Sequence, residues 1–451
     1  MKTNGPWKKF APSVIAVATL APALAVAQEW QLVYGGASRA EYTDNYYYVA
    51  PSSTGASSVG PESAFTLSLI PFVAAVRRTE VSEVKAIASI GANKAWGVSE
   101  EYLSARVALE GLLREERSTW TGSISYDRTS ELQDVISNQQ VVLVRTYTDT
   151  VSLDGALTYR LTEQWVAGTG VSGEFNRYDS VQDVASVVDD VNVAAYGDLR
   201  YDFSDRTRAL FSLNYTYYAG DLTRSDIVTA RAGIAHRYSP QLAVSATAGW
   251  YWSDTRNRSG APVSEDVFGG ENGGLFGANV EYAFTEATQL TASASQGLTP
   301  SGVGTISKSD NVAVALTHRF SDSLRGHVGA EYARTTFSGS LNNDYSEKTV
   351  QAEVGLAWRI AERWTMDAGY RYERTRYSLE SGEPRSNVVF LTLAYNWPGA
   401  SLTGWIGRST DSKGLAGASP LSPRDFATRG IDATSAPSAQ EPQPLDPFTL
   451  P

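Results

Sequence analysis

Residues 191–207 read VNVAAYGDLRYDFSDRT. Up to Phe203 the stretch alternates. Val191, Val193, Ala195, Gly197, Leu199, Tyr201 and Phe203 share one face; Asn192, Ala194, Tyr196, Asp198, Arg200 and Asp202 share the other. A period of two belongs to an extended strand, whereas a helix repeats every 3.6 residues. The run breaks at Ser204-Asp205-Arg206 and restarts at Thr207. Turns of the same kind begin at Leu161, Phe203, Tyr238, Phe284, Phe320 and Ile360, spaced by 42, 35, 46, 36 and 40 residues. A hairpin that crosses a bilayer needs two strands of about 10 residues, one short turn and one longer loop, roughly 40 residues in all. The spacing therefore predicts an all-β chain, a transmembrane antiparallel up-and-down β-barrel with short periplasmic turns.

The alternative for an alternating sheet is a soluble sandwich, with its apolar face in a core. Two features favour the barrel. Aromatics gather at strand ends (Tyr201, Phe203, Tyr238, Trp250, Trp252, Tyr282, Phe284, Phe320, Trp358, Trp364, Tyr395, Trp397), where interfacial girdles sit. The opposite faces carry Gly, Ser, Thr and charges of both signs, as a wet lumen does. About eighteen strands follow, from 29–42 to 387–397. The first three are blurred by Pro71 and weak alternation. An even count puts both barrel ends on the periplasmic side. The outer connections are then expected near 43–62, 130–145, 179–189, 220–225, 254–273, 299–309, 337–347 and 378–386. Their acids, Asp179, Asp183, Asp189, Asp190, Asp254, Glu265, Asp266 and Glu271, read as solvated loop residues.

The chain divides into three parts. Residues 1–27 read as a signal peptide, with Lys2, Lys8 and Lys9 before an apolar stretch that closes on Ala25-Val26-Ala27. Residues 28–397 are the outer-membrane barrel. Residues 398–451 hold 8 of the 18 prolines, together with much Ser and Ala, and read as a disordered periplasmic tail. Formal net charge is −11 and there is no cysteine. That rules out disulfides and thiolate metal sites and gives no basic footprint for nucleic acid. Mean hydropathy is −0.25, as expected where only alternate residues meet lipid.

No catalytic, cofactor or metal motif stands out. His236 and His318 occupy equivalent places near the periplasmic rim on the lipid-facing phase. His327 falls on the lumen phase, where Ser293 or Ser295 would be the partner of a barrel hydrolase, with no spacing to single either out. Charges cost a few kcal/mol in lipid, so those on strands must look inward. The pore-lining candidates are Arg106, Asp154, Asp198, Arg200, Arg231, Glu281, Arg325, Glu331, Glu353, Asp367 and Arg371. They read either as internal salt-bridge ladders or as a field that selects solutes.

Tyr42-Thr43-Asp44-Asn45 after the first strand, the hairpin series and the closing run from Ser386 to Tyr395 resemble the putative β-barrel porin 2 family. The resemblance covers roughly 30–397 and implies an outer-membrane barrel, some members being associated with exopolysaccharide biosynthesis and secretion. Family barrels usually end at the aromatic of the last strand, whereas this chain continues for 54 residues past Trp397. The expected function is a porin-like channel for passive solutes or in aid of exopolysaccharide export. The alternative is a plugged scaffolding barrel that binds a periplasmic or surface partner; an outer-membrane enzyme is the third. Expected partners are outer-membrane lipid and lipopolysaccharide, the barrel-insertion machinery and polysaccharide export components, with no cofactor.

Overall fold

The structure is a computed structural model that describes residues 30–48, 61–137, 140–180, 189–220, 223–257, 269–300, 306–337, 345–378 and 382–397. The expected signal peptide and proline-rich tail lie outside these residues, as do loop acids Asp183, Glu265 and Asp266. Every regular element described is a strand. In chain order they are β1 (Trp30–Thr43), β2 (Ala64–Arg78), β3 (Ser82–Trp96), β4 (Glu100–Arg114), β5 (Ser118–Ser137), β6 (Gln140–Arg160), β7 (Trp165–Ser180), β8 (Asp190–Ser204) and β9 (Thr207–Gly220). The second half comprises β10 (Thr223–Ser239), β11 (Leu242–Asn257), β12 (Gly269–Thr285), β13 (Thr288–Pro300), β14 (Ile306–Arg319), β15 (Leu324–Phe337), β16 (Tyr345–Ala361), β17 (Trp364–Tyr377) and β18 (Arg385–Trp397).

Each strand pairs antiparallel with its sequence neighbours, and β1 also pairs with β18, from Tyr34↔Trp397 to Thr43↔Val388. The 18-stranded sheet is therefore a closed barrel without an edge, which removes the unpaired backbone groups that lipid cannot satisfy. All eighteen strands overlap the spans expected from the sequence.

Hydroxyls make the short turns. Thr162 Oγ1 accepts from the backbone N–H of Trp165 (3.0 Å), and Ser204 Oγ from those of Arg206 (3.3 Å) and Thr207 (3.2 Å). Ser239 does the same for Gln241 and Leu242, Thr285 for Ala287, and Ser321 for Ser323 and Leu324. Five of the six quoted turns thus carry Ser or Thr at their second position, where the side chain replaces the ladder bonds lost at the bend. The sixth has Ala361 there and closes with a bulge between Arg359 and Ala361.

Three expectations need correction. The 130–145 segment is mostly strand: β5 has 20 residues and β6 has 21, pairing up to Ser137↔Gln140. At about 3.3 Å per residue such strands outrun the apolar band and continue past it into water. Asp179, Asp190, Asp254 and Glu271 accordingly lie in strands rather than loops. Third, a short connection at 97–99, absent from the expected outer loops, joins β3 to β4. Gly97 there has φ +103°, and a Cβ would sit 2.4 Å from the Ser63 carbonyl, so the turn requires glycine.

The faces are not uniform. Outward-facing Leu213 is 58% exposed, Val171 60% and Val328 54%. Inward, the wall formed by β18 and β1–β4 carries an apolar patch: Val33, Ala37, Ile70, Phe72, Ala74, Ile87, Ala108 and Ala394 form one buried cluster. Arg39, Glu41, Lys85 and Glu110 face inward on the same wall beside it. Its β2 carries Leu67, Leu69, Pro71 and Val73 outward and Ile70, Phe72, Ala74 and Val76 inward. A strand apolar on both sides shows no alternation, which is why these strands were the hardest to read.

Candidate channel lumen

Cross-strand partners share a face, so the register fixes which side chains point inward. Arg200 is 5% exposed and anchors the inner face of β8. From it the inner set runs through Val166 on β7 and Leu210 on β9, and onward around the barrel. All eleven sequence candidates lie on this face. Arg106 meets Asp127 directly across β4–β5 (3.3 Å), and Asp127 also accepts from Ser125 Oγ (3.2 Å). Asp154 accepts from Ser123 Oγ at 3.3 Å. Arg200 binds Asp202 at 3.1 Å, and Arg208 approaches the other oxygen of that carboxylate at 3.6 Å. Asp198 lies over Gly168, where a Cβ would come within 2.3 Å of its carboxylate.

The second half of the barrel builds a longer network. Glu281 accepts from Asn279 Nδ2 at 3.4 Å, and Glu331 from Asn311 Nδ2. His327 Nε2 meets Glu353 at 3.1 Å, and Glu353 stands opposite Arg371. Asp367 occupies the same face of β17, one strand from Ala357. Arg231 stands between Ser212 and Gly249, its stem lying where a Gly249 Cβ would be. Arg325 stands opposite Arg319 across β14–β15.

Several inner groups escaped the sequence reading. Arg39 donates to Glu41 (2.9 Å) and stacks 4.6 Å over the Phe390 ring. Lys85 reaches Glu110 at 3.8 Å. Asp190 accepts from Asn176 Nδ2 (3.1 Å) and the Tyr178 hydroxyl (3.2 Å), and Glu271 from the Tyr251 hydroxyl (3.0 Å). Arg39 and Lys85 sit in the blurred strands, and Asp190 and Glu271 are among the acids expected in loops. Asp202, Arg208 and Arg237 were findable, since they continue the phase of Arg200 and Arg231.

The inner charges are graded along the axis. On β6–β17 the short-turn end carries Arg160, Arg200, Arg208, Arg237, Arg319, Arg325 and Arg359, with the fewer acids Asp202, Glu281 and Asp367 among them. The opposite end of the same strands carries Glu174, Asp190, Glu271, Glu347 and Glu373, and no inward cation among the described residues.

The histidines divide as their phases predict. His236 and His318 are matched: each Nδ1 pairs at 2.7 Å with a threonine hydroxyl, Thr207 or Thr288. Each ring also packs edge-on against Tyr238 or Phe320. For His327, strand β14 intervenes between it and Ser293 or Ser295, and its Nε2 faces Glu353 instead.

Residues 225–396, which lie within β10–β18, match the family model described as Putative beta-barrel porin 2. No curated protein matches the chain. Among solved structures, Pseudomonas aeruginosa OpdK with vanillate is similar at 12% identity, covering 81% of this chain and 99% of that one, with a TM-score of 0.46. Acinetobacter baumannii OccAB4 is 12% identical over 82% of this chain and 98% of its own, with a TM-score of 0.43. The FrpB iron transporter of Neisseria meningitidis is 8% identical over 78% and 62%, with a TM-score of 0.45. A closed barrel with an apolar outer belt, of which residues 225–396 match a porin family model, has the architecture of a porin-like outer-membrane barrel.

Proposed function

From a closed eighteen-stranded barrel with ionised groups on one face and an apolar belt on the other, we propose a passive outer-membrane channel for small charged solutes. The observation that carries it is the inward ring of Arg, Asp and Glu side chains, since charges kept out of lipid in a barrel this wide line an aqueous path. The short turns face the periplasm and the longer connections face outward. Side chains of the lumen bind and steer solute by charge; they perform no covalent chemistry. Insertion depends on the barrel-assembly machinery, and outer-membrane lipid surrounds the belt. Purified protein in planar bilayers is expected to give discrete conductance steps.

A second reading, a plugged scaffolding barrel, draws on the solvent-excluded inner cluster around Val33 and Phe72 and on inner groups at 0% exposure, Thr146 and Ser225. A folded barrel that gives no steps would select it. Aid to exopolysaccharide export is a narrower reading carried by the family resemblance alone; no lumen feature points to it. Its test is secreted polymer in a strain lacking the protein, where unchanged yield removes it.

A further inference from the structure

Above the apolar belt, on the side of the longer connections, the outward face carries charged side chains around the barrel. On most walls each cation has its acid. Lys94 meets Glu101 at 2.6 Å, Arg128 meets Asp149 at 2.8 Å, Arg224 meets Asp226 at 3.3 Å, and Arg256 pairs with Asp254.

The wall from β14 to β18 differs. Arg334 stands directly opposite Lys348, Lys348 directly opposite Arg376, and Arg374 directly opposite Arg385, with Lys308 one strand away on β14. All six share the outward phase, and all but Lys308 are exposed. Among the described residues three carboxylates accompany them. Glu383 binds Arg374 and lies 3.8 Å from Arg376; Asp44 accepts from the Asn387 backbone N–H (2.7 Å) and Nδ2 (2.6 Å); Asp310 stands across from Arg334. Neither Arg334 nor Lys348 has an ion-pair partner among the described residues. Like charges placed directly opposite on adjacent strands are destabilising, so this row calls for an external anion.

Its level identifies the anion. Next toward the membrane from Arg334 and Lys348 on the same face sit Tyr332 (38% exposed) and Val350 (44%), on the rung that also holds Arg374 and Arg385, and deeper still lie Val328, Val354 and Tyr370 (40%) on one rung. Guanidinium and ammonium groups level with the upper aromatics of a girdle and on the rungs just above them meet lipid headgroups, not bulk solute. Arginine pairs of this kind match phosphate oxygens bidentately, with lysine as a point charge beside them.

We infer that Lys308, Arg334, Lys348, Arg374, Arg376 and Arg385 form a binding site for the phosphates of an outer-leaflet glycolipid. The class is a doubly phosphorylated, multiply acylated sugar whose acyl chains lie along the valines below. The inference rests on the outward orientation of the longer connections and of the belt, but not on whether the lumen conducts.

Native mass spectrometry of the full-length protein in detergent tests it, with diphosphoryl lipid A and phosphatidylglycerol as probes and inorganic phosphate as competitor. Wild type is expected to retain diphosphoryl lipid A about tenfold better than phosphatidylglycerol. The triple variant Arg334→Gln/Lys348→Gln/Arg376→Gln should lose that preference, while Lys94→Gln/Arg128→Gln on another wall keeps it. Single Arg334→Gln and Lys348→Gln variants, each expected to weaken retention, serve if the triple variant does not fold. Equal retention by wild type and the row variants overturns the inference. Equal binding of phosphatidylglycerol, or full displacement of the lipid by inorganic phosphate, does so too. Unchanged single-channel conductance in the triple variant separates this result from the fate of the channel.

Discussion

Adjacent residues on one strand face different solvents, and the energetic contrast between them is large. Leu213 points outward, with Gly197 and Ala230 as its strand partners, and Ser212 points inward between Asp198 and Arg231. Leu213→Arg should cost roughly 2–4 kcal/mol if it lies near the midplane. Ser212→Leu should leave folding nearly unchanged. Urea titration of the refolded barrel, followed by heat-modifiable gel migration, compares the two, and reversed effects would mean the register of β8–β10 is wrong. Charge inside acts on passage instead. Glu353 is shared by His327 and faces Arg371, so Glu353→Gln removes a negative charge and leaves the cations in place. The cation-to-anion permeability ratio, read from the reversal potential across a salt gradient, should fall. An unchanged ratio would show that this wall does not line the conducting path.

Strands and turns were legible wherever a single chemical contrast repeats. Alternation gave the strands, and the Ser or Thr at the second turn position gave their ends, because that hydroxyl is the acceptor at the bend. Ser321→Ala deprives the Ser323 N–H of its side-chain acceptor and leaves the Leu324 N–H only the Ser321 carbonyl at 3.4 Å, and should cost about 0.5–1.5 kcal/mol in the same titration. No loss would mean that water serves the exposed turn equally well. Cross-strand fit was illegible. A Cβ on Gly170 would come within 2.5 Å of the Tyr196 ring, and one on Gly35 within 2.7 Å of Phe72, so in each pair the aromatic lies over a neighbour's bare backbone. Such pairs depend on register, which periodicity alone does not supply. The inner apolar patch was missed for a related reason: Ile70 and Phe72 look like a continuous run with Leu69, Pro71 and Val73 until closure assigns them opposite sides. The eleven lumen candidates, like Asp202 and Arg208, needed only phase, whereas the pairing of Arg106 with Asp127 needed the register as well.

Strands β6–β17 carry an axial charge gradient, an excess of arginine at the short-turn end and carboxylate at the other. An asymmetric lumen field makes ion current depend on the sign of the voltage while the charges are unscreened. The current–voltage curve should rectify at 0.1 M salt and straighten toward 1 M, where the Debye length falls to about 3 Å. A curve that is symmetric at low salt would place the conducting path away from these groups. The other whole-molecule question is what closes the barrel. β1 and β18 pair over ten positions and end at Tyr34↔Trp397, and the Arg363 guanidinium stacks 3.0 Å from the Trp397 ring centroid. Trp364 and Tyr395 pack beside it, ring centroids 4.9 Å apart. The described pairing of the seam ends at Trp397, and residues 398–451 lie outside the described residues. Truncation after Trp397 should give a heat-modifiable, membrane-inserted barrel, and it leaves an aromatic residue at the C-terminus. If the shortened chain fails to insert while the full chain succeeds, residues beyond Trp397, with 400–406 the first to examine, belong to the closed structure.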